Sequence, residues 1–397
     1  MVDLLKNIKL LSQHTITEKR VLLRVDFNVS LTEDLQIADD VRIVKSIPTI
    51  KLLLKNNNKI ILVSHLGRPK GRDGKSSLKP IAAYLTKAFP ENNIILVNDF
   101  LSKDGKKQLS EQRENDIILL ENIRFYEGEE TNDEEFSKQL STLADAYVND
   151  AFGVSHRNAA SVVGITKLLP SYCGLLLEEE VRAVEKIMEN PKRPVVAIIG
   201  GAKISTKIII LSKLLDAVGT LILGGGLANT FLLAEGYEVG KSLVEKDQID
   251  EAKRIISLAL EKNVTLVLPA DSAGLENNSI EKTYKTDSIP PDFSILDIGP
   301  ETQSTASDII SKANTILWNG PVGFAEDKRF AKGTQAVFQS IVQNTHAFSL
   351  VGGGDTLACV SGNKDIDKIT HVSTGGGAML ELIENGTLPG IEALRTF

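Results

Sequence analysis

His65, Arg68, Lys70 and Arg72 crowd into the eight residues that follow Ser64, behind the apolar run Ile60–Val63 and spaced by glycines and a proline. The chain carries a formal net charge of −7, so a cationic cluster this local points to a small anion and not to a nucleic acid or an anionic membrane, which require a broad basic face. The same residue types recur after other apolar runs: Asp26 and Asn28 in RVDFN, Arg124 in ENIRF, and Asn149, Asp150, His156 and Arg157 in VNDAFGVSHR. Arg42, in the helix-like ADDVRIVKSI, joins them. Several arginines at one mouth repel one another unless an anion sits between them, and the guanidinium fork matches carboxylate or phosphate. His65 and His156, each near an arginine, read as binding residues and not as acid–base catalysts. Arg24 lies inside a run and reads as a salt-bridged structural residue, and the acidic run 127–136 reads as a solvated helix start.

The second half carries a different set. GGAKISTK (200–207), GGGLANTF (224–231) and GGGDTLA (352–358) follow apolar runs, and STGGGAMLEL (373–382) opens the last helix. Glycine removes the side chain between backbone N–H groups and a ligand, and a helix starting there offers unpaired donors at its positive end. Such loops suit a polyphosphate. Lys203 and Lys207, four apart, are expected to face it from the first turns of one helix. Asp355, after three glycines, is placed like a ligand of Mg²⁺, which takes few carboxylates together with phosphate oxygens. Gly320, Pro321 and Gly323 after Trp318 shape a loop beside a flat base, and Glu326 there suits ribose hydroxyls. Each glycine triplet fails G-x-G-x-x-G at its sixth position, and EGYEVGKS has Glu235 where a Walker loop begins with glycine, so it reads as a surface loop.

Short β-branched runs alternating with helical patterns must position these residues, and they are the signature of parallel α/β sheets. Five runs fall in the first half (21–25, 59–63, 93–97, 116–120, 145–149) and five in the second (194–199, 219–223, 264–268, 314–318, 348–351). Ten strands over 397 residues fit two sheets better than one. The expected fold is α/β: two Rossmann-like three-layer domains, each with a mainly parallel sheet, joined by an interdomain helix and hinge. The expected boundaries are 1–170, 171–190 for the helix bearing Val181, Val184 and Met188, and 191–385, with the tail 386–397 packing back on the first domain. In open α/β sheets ligands bind beyond the carboxyl ends of the strands, where the residues above lie.

With 42% hydrophobic and 24% charged residues the chain is a soluble globular protein. Cys173 and Cys359 lie far apart, and neither a signal peptide nor an apolar run of roughly 18 residues is present, so a cytoplasmic location is expected.

RVDFN, SHLGRP, LENIRFYEGEE, YVNDAFG with HR, IIGGAK, GGGLANTFL, LDIGPET, WNGPVG, FAKGT, GGGDT and STGGGAMLELIE stand in the order and spacing of the phosphoglycerate kinase family. The resemblance runs from about Leu22 to Leu394. It implies a monomer that binds 3-phosphoglycerate or 1,3-bisphosphoglycerate on the first half and ATP or ADP with Mg²⁺ on the second, with no nucleic-acid or membrane partner. By resemblance, Asp26, Phe27, Asn28, Arg42, His65, Leu66, Gly67, Arg68, Arg124 and Arg157 hold the glycerate. Gly201, Lys203, Lys207, Gly225, Gly226, Pro321, Glu326, Gly353, Gly354, Asp355 and Thr356 hold the nucleotide, with Asp355 near the metal. Arg42, Lys203 and the backbone of Gly375, Gly376 and Gly377 serve the transfer. Thr206, Ala325 and Ile295 depart from the family's usual aspartate, phenylalanine and glycine.

The acceptor in that reaction is a carboxylate, ionised at neutral pH with a pKa of about 4, so no general base is needed. Catalysis then reduces to aligning two anions and neutralising the moving charge, with closure of the two halves excluding water. An NAD-dependent dehydrogenase would need a dinucleotide fingerprint that is missing. A nonenzymatic nucleotide-binding scaffold is the remaining rival, and an assay with ATP, Mg²⁺ and 3-phosphoglycerate separates the three.

Overall fold

The computed structural model describes residues 3–396; Met1, Val2 and Phe397, at the ends of segments read above, lie outside the described residues. These residues form two compact units, one of residues 3–182 with the segment from Asn385 onward, the other of residues 183–384.

The first unit is built on six parallel strands: β1 (Arg20–Arg24), β2 (Lys59–Val63), β3 (Asn93–Val97), β4 (Asp116–Leu120), β5 (Ala146–Asn149) and β6 (Ser171–Cys173), in the order β3-β4-β2-β1-β5-β6. The strands read as continuous apolar runs because both faces are covered, as parallel sheets require. Val21, Leu23, Ile60, Leu62, Ile117 and Leu119 meet Ile43, Ile50 and Leu53 of the helix Val41–Lys55 in one buried cluster. That helix carries Arg42 in its first turn. In the C-terminal segment Leu388, Ile391 and Leu394 are buried, Gly390 N–H donates to Ser155 O at 2.8 Å, and Arg395 reaches Leu4 O at 2.7 Å.

The second unit holds β7 (Val195–Ile199), β8 (Thr220–Leu223), β9 (Thr265–Val267), β10 (Asp271–Glu276), β11 (Ile280–Lys285), β12 (Phe293–Ile298), β13 (Thr315–Asn319), β14 (Phe348–Gly352) and β15 (His371–Val372). Six of these form a parallel sheet in the order β15-β14-β13-β7-β8-β9, and β11-β10-β12 form a small antiparallel sheet. The ten apolar runs of the sequence all become parallel strands. The antiparallel sheet has no counterpart among them, because β11 is almost wholly exposed and only Tyr284 on it is partly buried. The edge strands β6 and β15 were also too short to register as runs.

The helix Leu175–Met188 joins the units, and its buried stripe is Leu177, Val181, Val184 and Ile187, with Met188 only half-buried.

Candidate active site

In the first unit the loops after β1, β2, β4 and β5, the four central strands, all carry polar residues at the carboxyl end of the sheet. His65, after β2, is 2% exposed and lies 3.7 Å through Nδ1 from Asp26 Oδ1. Burial pulls its pKa well below the usual imidazole range, and Arg24, Arg124, Arg42 and Arg157 push the same way. Four guanidiniums thus act on one neutral ring, which makes the mouth cationic without any contribution from histidine.

Two of these arginines are held in place. Arg42 donates from Nη1 to Asn28 O at 2.7 Å and pairs with Asp26 at 3.3 Å, while Asn28 Oδ1 accepts from Gly67 N–H at 2.8 Å. Arg124 donates to Gly67 O at 2.7 Å and pairs with exposed Glu130 at 3.3 Å. Asp26 and Asn28 therefore orient Arg42 and the Gly67 turn. Arg68 and Arg157 are exposed, and neither guanidinium has a hydrogen bond or ion pair among the described residues. His156 is half-buried beside Arg157. Phe27 and Leu66 turn their side chains into the core, so only their backbone faces the loops.

Three readings of this half are corrected. Arg24 makes no direct ion pair among the described residues: it is 2% exposed, donates from Nε to Ser161 Oγ at 2.9 Å, and Ser161 in turn donates to Glu129 Oε1 at 2.6 Å. Glu129, inside the run read as solvated, is buried as the end of that relay. Asn149 and Asp150, grouped with the ligand residues by position, serve the backbone instead. Asn149 Oδ1 accepts from Ala151 N–H at 3.0 Å, and Asp150 accepts from Leu176 N–H at 2.8 Å at the start of the helix Leu175–Met188. Burial pushes the Asp150 carboxyl up to about 7.

In the second unit the loops after β7, β8, β13, β14 and β15 line two adjoining depressions. The polar one is bordered by Lys203, Lys207, Asn319, Gly353, Asp355 and Gly376, and also by Gly201, Pro321, Gly354, Thr356 and Gly377. Lys207 donates from Nζ to Gly200 O and to Asn319 Oδ1, each at 2.7 Å. Burial brings its pKa down to about 8, with Asp355 pulling the other way. Lys203 is exposed and unpaired among the described residues, and its carbonyl accepts from Thr206 Oγ1 at 3.0 Å. The lysines do not share a helix face as expected. The helix begins only at Ile208, leaving Lys207 at its cap and Lys203 in the loop before it, because Ser205 anchors that loop to Glu245 through its N–H at 3.0 Å and its hydroxyl at 2.6 Å.

Glycine is required at both Gly353 and Gly376. Gly353 has φ of +109°, and a Cβ on Gly376 would sit 2.6 Å from Gly353 Cα. The two glycine loops touch backbone to backbone, bringing the starts of the helices Gly354–Val360 and Gly376–Asn385 to one place. Gly375 N–H already donates to Ser373 Oγ at 3.2 Å, leaving Gly376 and Gly377 to supply backbone donors. The Thr356 hydroxyl is also committed, accepting from Gly320 N–H at 2.7 Å and donating to Gly352 O at 3.1 Å.

The less polar depression is lined by Gly225, Gly226, Leu243, Ile295, Leu296, Pro321, Phe324 and Glu326, and shares Gly201 and Asp355 with its neighbour. Phe324 is 50% and Leu243 53% exposed. Trp318 is core, its indole N–H donating to Gly320 O at 2.9 Å. Asn319 and Leu243 were missed as site residues. Asn319 ends β13 in the WNGPVG motif, a polar residue at a strand end that could have been noted, whereas Leu243 sits in a loop with no local signal. Ile295, one of the departures from the family pattern, is held on β12 by its N–H to Ser242 Oγ at 2.8 Å, from the Walker-like loop.

The chain matches the family model "Phosphoglycerate kinase" over residues 11–386. It belongs to the phosphoglycerate kinase family. Among curated relatives it is 43% identical to the phosphoglycerate kinase of Pelotomaculum thermopropionicum over 380 residues, 95% of this chain and 96% of that one. It is 45% identical to that of Desulfosudis oleivorans over 392 residues, 98% of each chain. The structure of phosphoglycerate kinase from Coxiella burnetii is similar at TM-score 0.87 and 40% identity, and the one from Pyrococcus horikoshii at 0.84 and 29%, each covering 98% of both chains. The chain is therefore an enzyme, a phosphotransferase with a carboxyl group as acceptor.

Proposed function

We propose that this chain carries the reversible transfer between 1,3-bisphosphoglycerate with ADP and 3-phosphoglycerate with ATP on the two mouths described above. The glycerate occupies the first unit and the nucleotide the second. The observation that supports this best is the build of the first mouth: Arg42 and Arg124 are tied to Asn28 O and Gly67 O on the loops that flank buried His65, whose pKa is lowered by burial and by Arg24, Arg124, Arg42 and Arg157. Such a site suits a phosphorylated carboxylate; its neutral imidazole is only a weak base, and the carboxylate acceptor needs none.

Asp26 and Asn28 hold Arg42 so that its guanidinium meets the substrate without reorganising, and Arg68, Arg124 and Arg157 supply the remaining positive charge. In the second unit Lys207, Gly353, Gly354 and Gly376 receive the phosphates, while Ile295, Leu296, Pro321 and Phe324 face the base and Glu326 the ribose. Lys203, unpaired among the described residues, stabilises the moving phosphoryl together with Arg42 and the Gly376 and Gly377 amides. A single exposed carboxylate, Asp355, at the edge of a phosphate site fits Mg²⁺, and no cluster of three or more acidic, His or Cys ligands stands among the described residues. When bound, Mg²⁺ supplies charge neutralisation on the phosphates. Because each unit holds one reactant, turnover requires the two reactants to be brought together.

The proposal includes a cytoplasmic monomer. Both cysteines are free, and among the described residues no helix is long and apolar enough to cross a membrane. Light scattering after size exclusion tests the monomer. ATP, Mg²⁺ and 3-phosphoglycerate, coupled to consumption of the acyl phosphate, test the reaction; nucleotide binding without turnover would sink the enzymatic reading.

A further inference from the structure

Asp297, near the end of β12, is 3% exposed and is one of the residues that line the proposed nucleotide pocket. Its Oδ2 accepts from Gly333 N–H at 2.8 Å in the first turn of the helix Lys332–Gln343, and its Oδ1 accepts from Ile298 N–H at 2.9 Å. No lysine or arginine forms an ion pair with it among the described residues. Burial pushes the carboxyl up to about 7, against the backbone donors and the Lys332 charge, so this carboxylate is held at a cost that a neutral cap would avoid.

The segment between β13 and that helix is wrapped around this one side chain. A Cβ on Gly323 would sit 2.2 Å from Asp297 Oδ1, and one on Gly333 2.3 Å from the same atom. Both ends of the segment 323–333 are thus pressed against the carboxylate. Between them lie Phe324 and Glu326, and Phe324 N–H donates to Leu296 O at 2.6 Å, stitching the segment to β12. Part of the pocket lining therefore comes from β12 and part from the adjoining segment 321–326, and Asp297 is the joint between them.

We propose that Asp297 is a positioning residue for the nucleotide, its buried carboxylate fixing the Gly323–Gly333 segment so that Phe324 and Glu326 meet the base and ribose. This rests on the nucleotide reading of the second unit. A residue in this role changes nucleotide affinity and leaves the glycerate site alone.

Calorimetric titration of the full chain with ADP, and separately with 3-phosphoglycerate, tests it in wild type, Asp297→Asn and Gly323→Ala. The asparagine keeps the shape but replaces one acceptor by a donor facing Gly333 N–H; the alanine leaves the carboxylate and displaces the segment. Expected in both is an ADP Kd raised about tenfold, in Asp297→Asn through a lost hydrogen bond to the carboxylate and in Gly323→Ala through displacement of the segment, with the 3-phosphoglycerate Kd within about twofold of wild type. A folded Asp297→Asn protein with wild-type ADP affinity overturns the proposal, as does equal weakening of both ligands, the mark of a merely structural cap. Should Asp297→Asn fail to fold by circular dichroism, Gly323→Ala decides alone by the same two readings. Wild type that binds 3-phosphoglycerate but no ADP removes the nucleotide reading itself.

Discussion

The first unit offers an anion charged side chains, whereas the second offers mainly backbone. Around His65 the arginines carry full charge, and Arg42 and Arg124 are tied to neighbouring carbonyls and carboxylates, so their forks are preorganised before any ligand arrives. In the second unit the glycine loops and helix starts carry partial charge, need no counter-ion, and come close only because no Cβ intervenes. Mutual repulsion limits the first arrangement and sterics the second. Deleting charge should therefore hurt one mouth, and adding a methyl group the other.

The largest expected effect joins the two mouths. Arg42→Ala and Lys203→Ala should each lower turnover by ~10²–10³, the scale of one lost donor on a developing charge, with ADP affinity kept within about threefold. Steady-state kinetics beside ADP titration reads this. Near-normal turnover in both variants would break the assignment, and a tenfold loss of ADP affinity in Arg42→Ala would erase the division between units.

Gly376→Ala sharpens the steric half. Its Cβ meets Gly353 backbone at 2.6 Å, so the loops must part, at a cost of about 1–3 kcal/mol. ADP binding should fall about tenfold and the melting temperature should drop, with 3-phosphoglycerate binding untouched. Gly377→Ala, whose Cβ meets nothing within 4 Å, should melt like wild type. Equal melting temperatures for both variants would show that the glycine contact is not tight.

Lys207 sets a pH dependence. Its pKa, lowered to about 8 by burial, should rise when phosphates arrive, since they favour the ammonium. Nucleotide binding near pH 8 should then take up a fraction of a proton, and affinity should fall as pH climbs through 8. Calorimetry in buffers of different ionisation enthalpy measures the uptake, and Lys207→Gln should abolish it. The smallest effect belongs to exposed Glu326: Glu326→Gln should raise the ADP Kd about twofold, because an exposed contact is worth little. A tenfold change there would mean that the carboxylate is desolvated on binding.

The architecture was legible wherever the pattern was local and strong. Buried parallel strands such as β7, apolar end to end, and β4, apolar after Asp116, are announced by their runs, and the polar or glycine residues just beyond mark the carboxyl end of the sheet. The small antiparallel sheet was hidden because an exposed edge strand such as β11 has no apolar pattern to read. Its absence from the sequence reading also hid how β12 brings Ile295 and Leu296 to the pocket. Lys203 and Lys207 had the spacing of a helix face, but the anchoring of Ser205 by Glu245, 40 positions away, delays the helix.

The sequence alone determined which residue types stand at which strand ends, and hence that one half would gather cations and the other glycines. Those are consequences of chain-local periodicity and turn chemistry. Tertiary structure decided what each polar residue spends its hydrogen bonds on. Asp26 orients Arg42, while Asp150 caps a helix; Glu130 stays in solvent, while Glu129 is buried under Ser161 and Arg24. Burial and partner choice depend on residues far apart in the chain, and a carboxylate has the same formula whether it faces a ligand, a helix start or water.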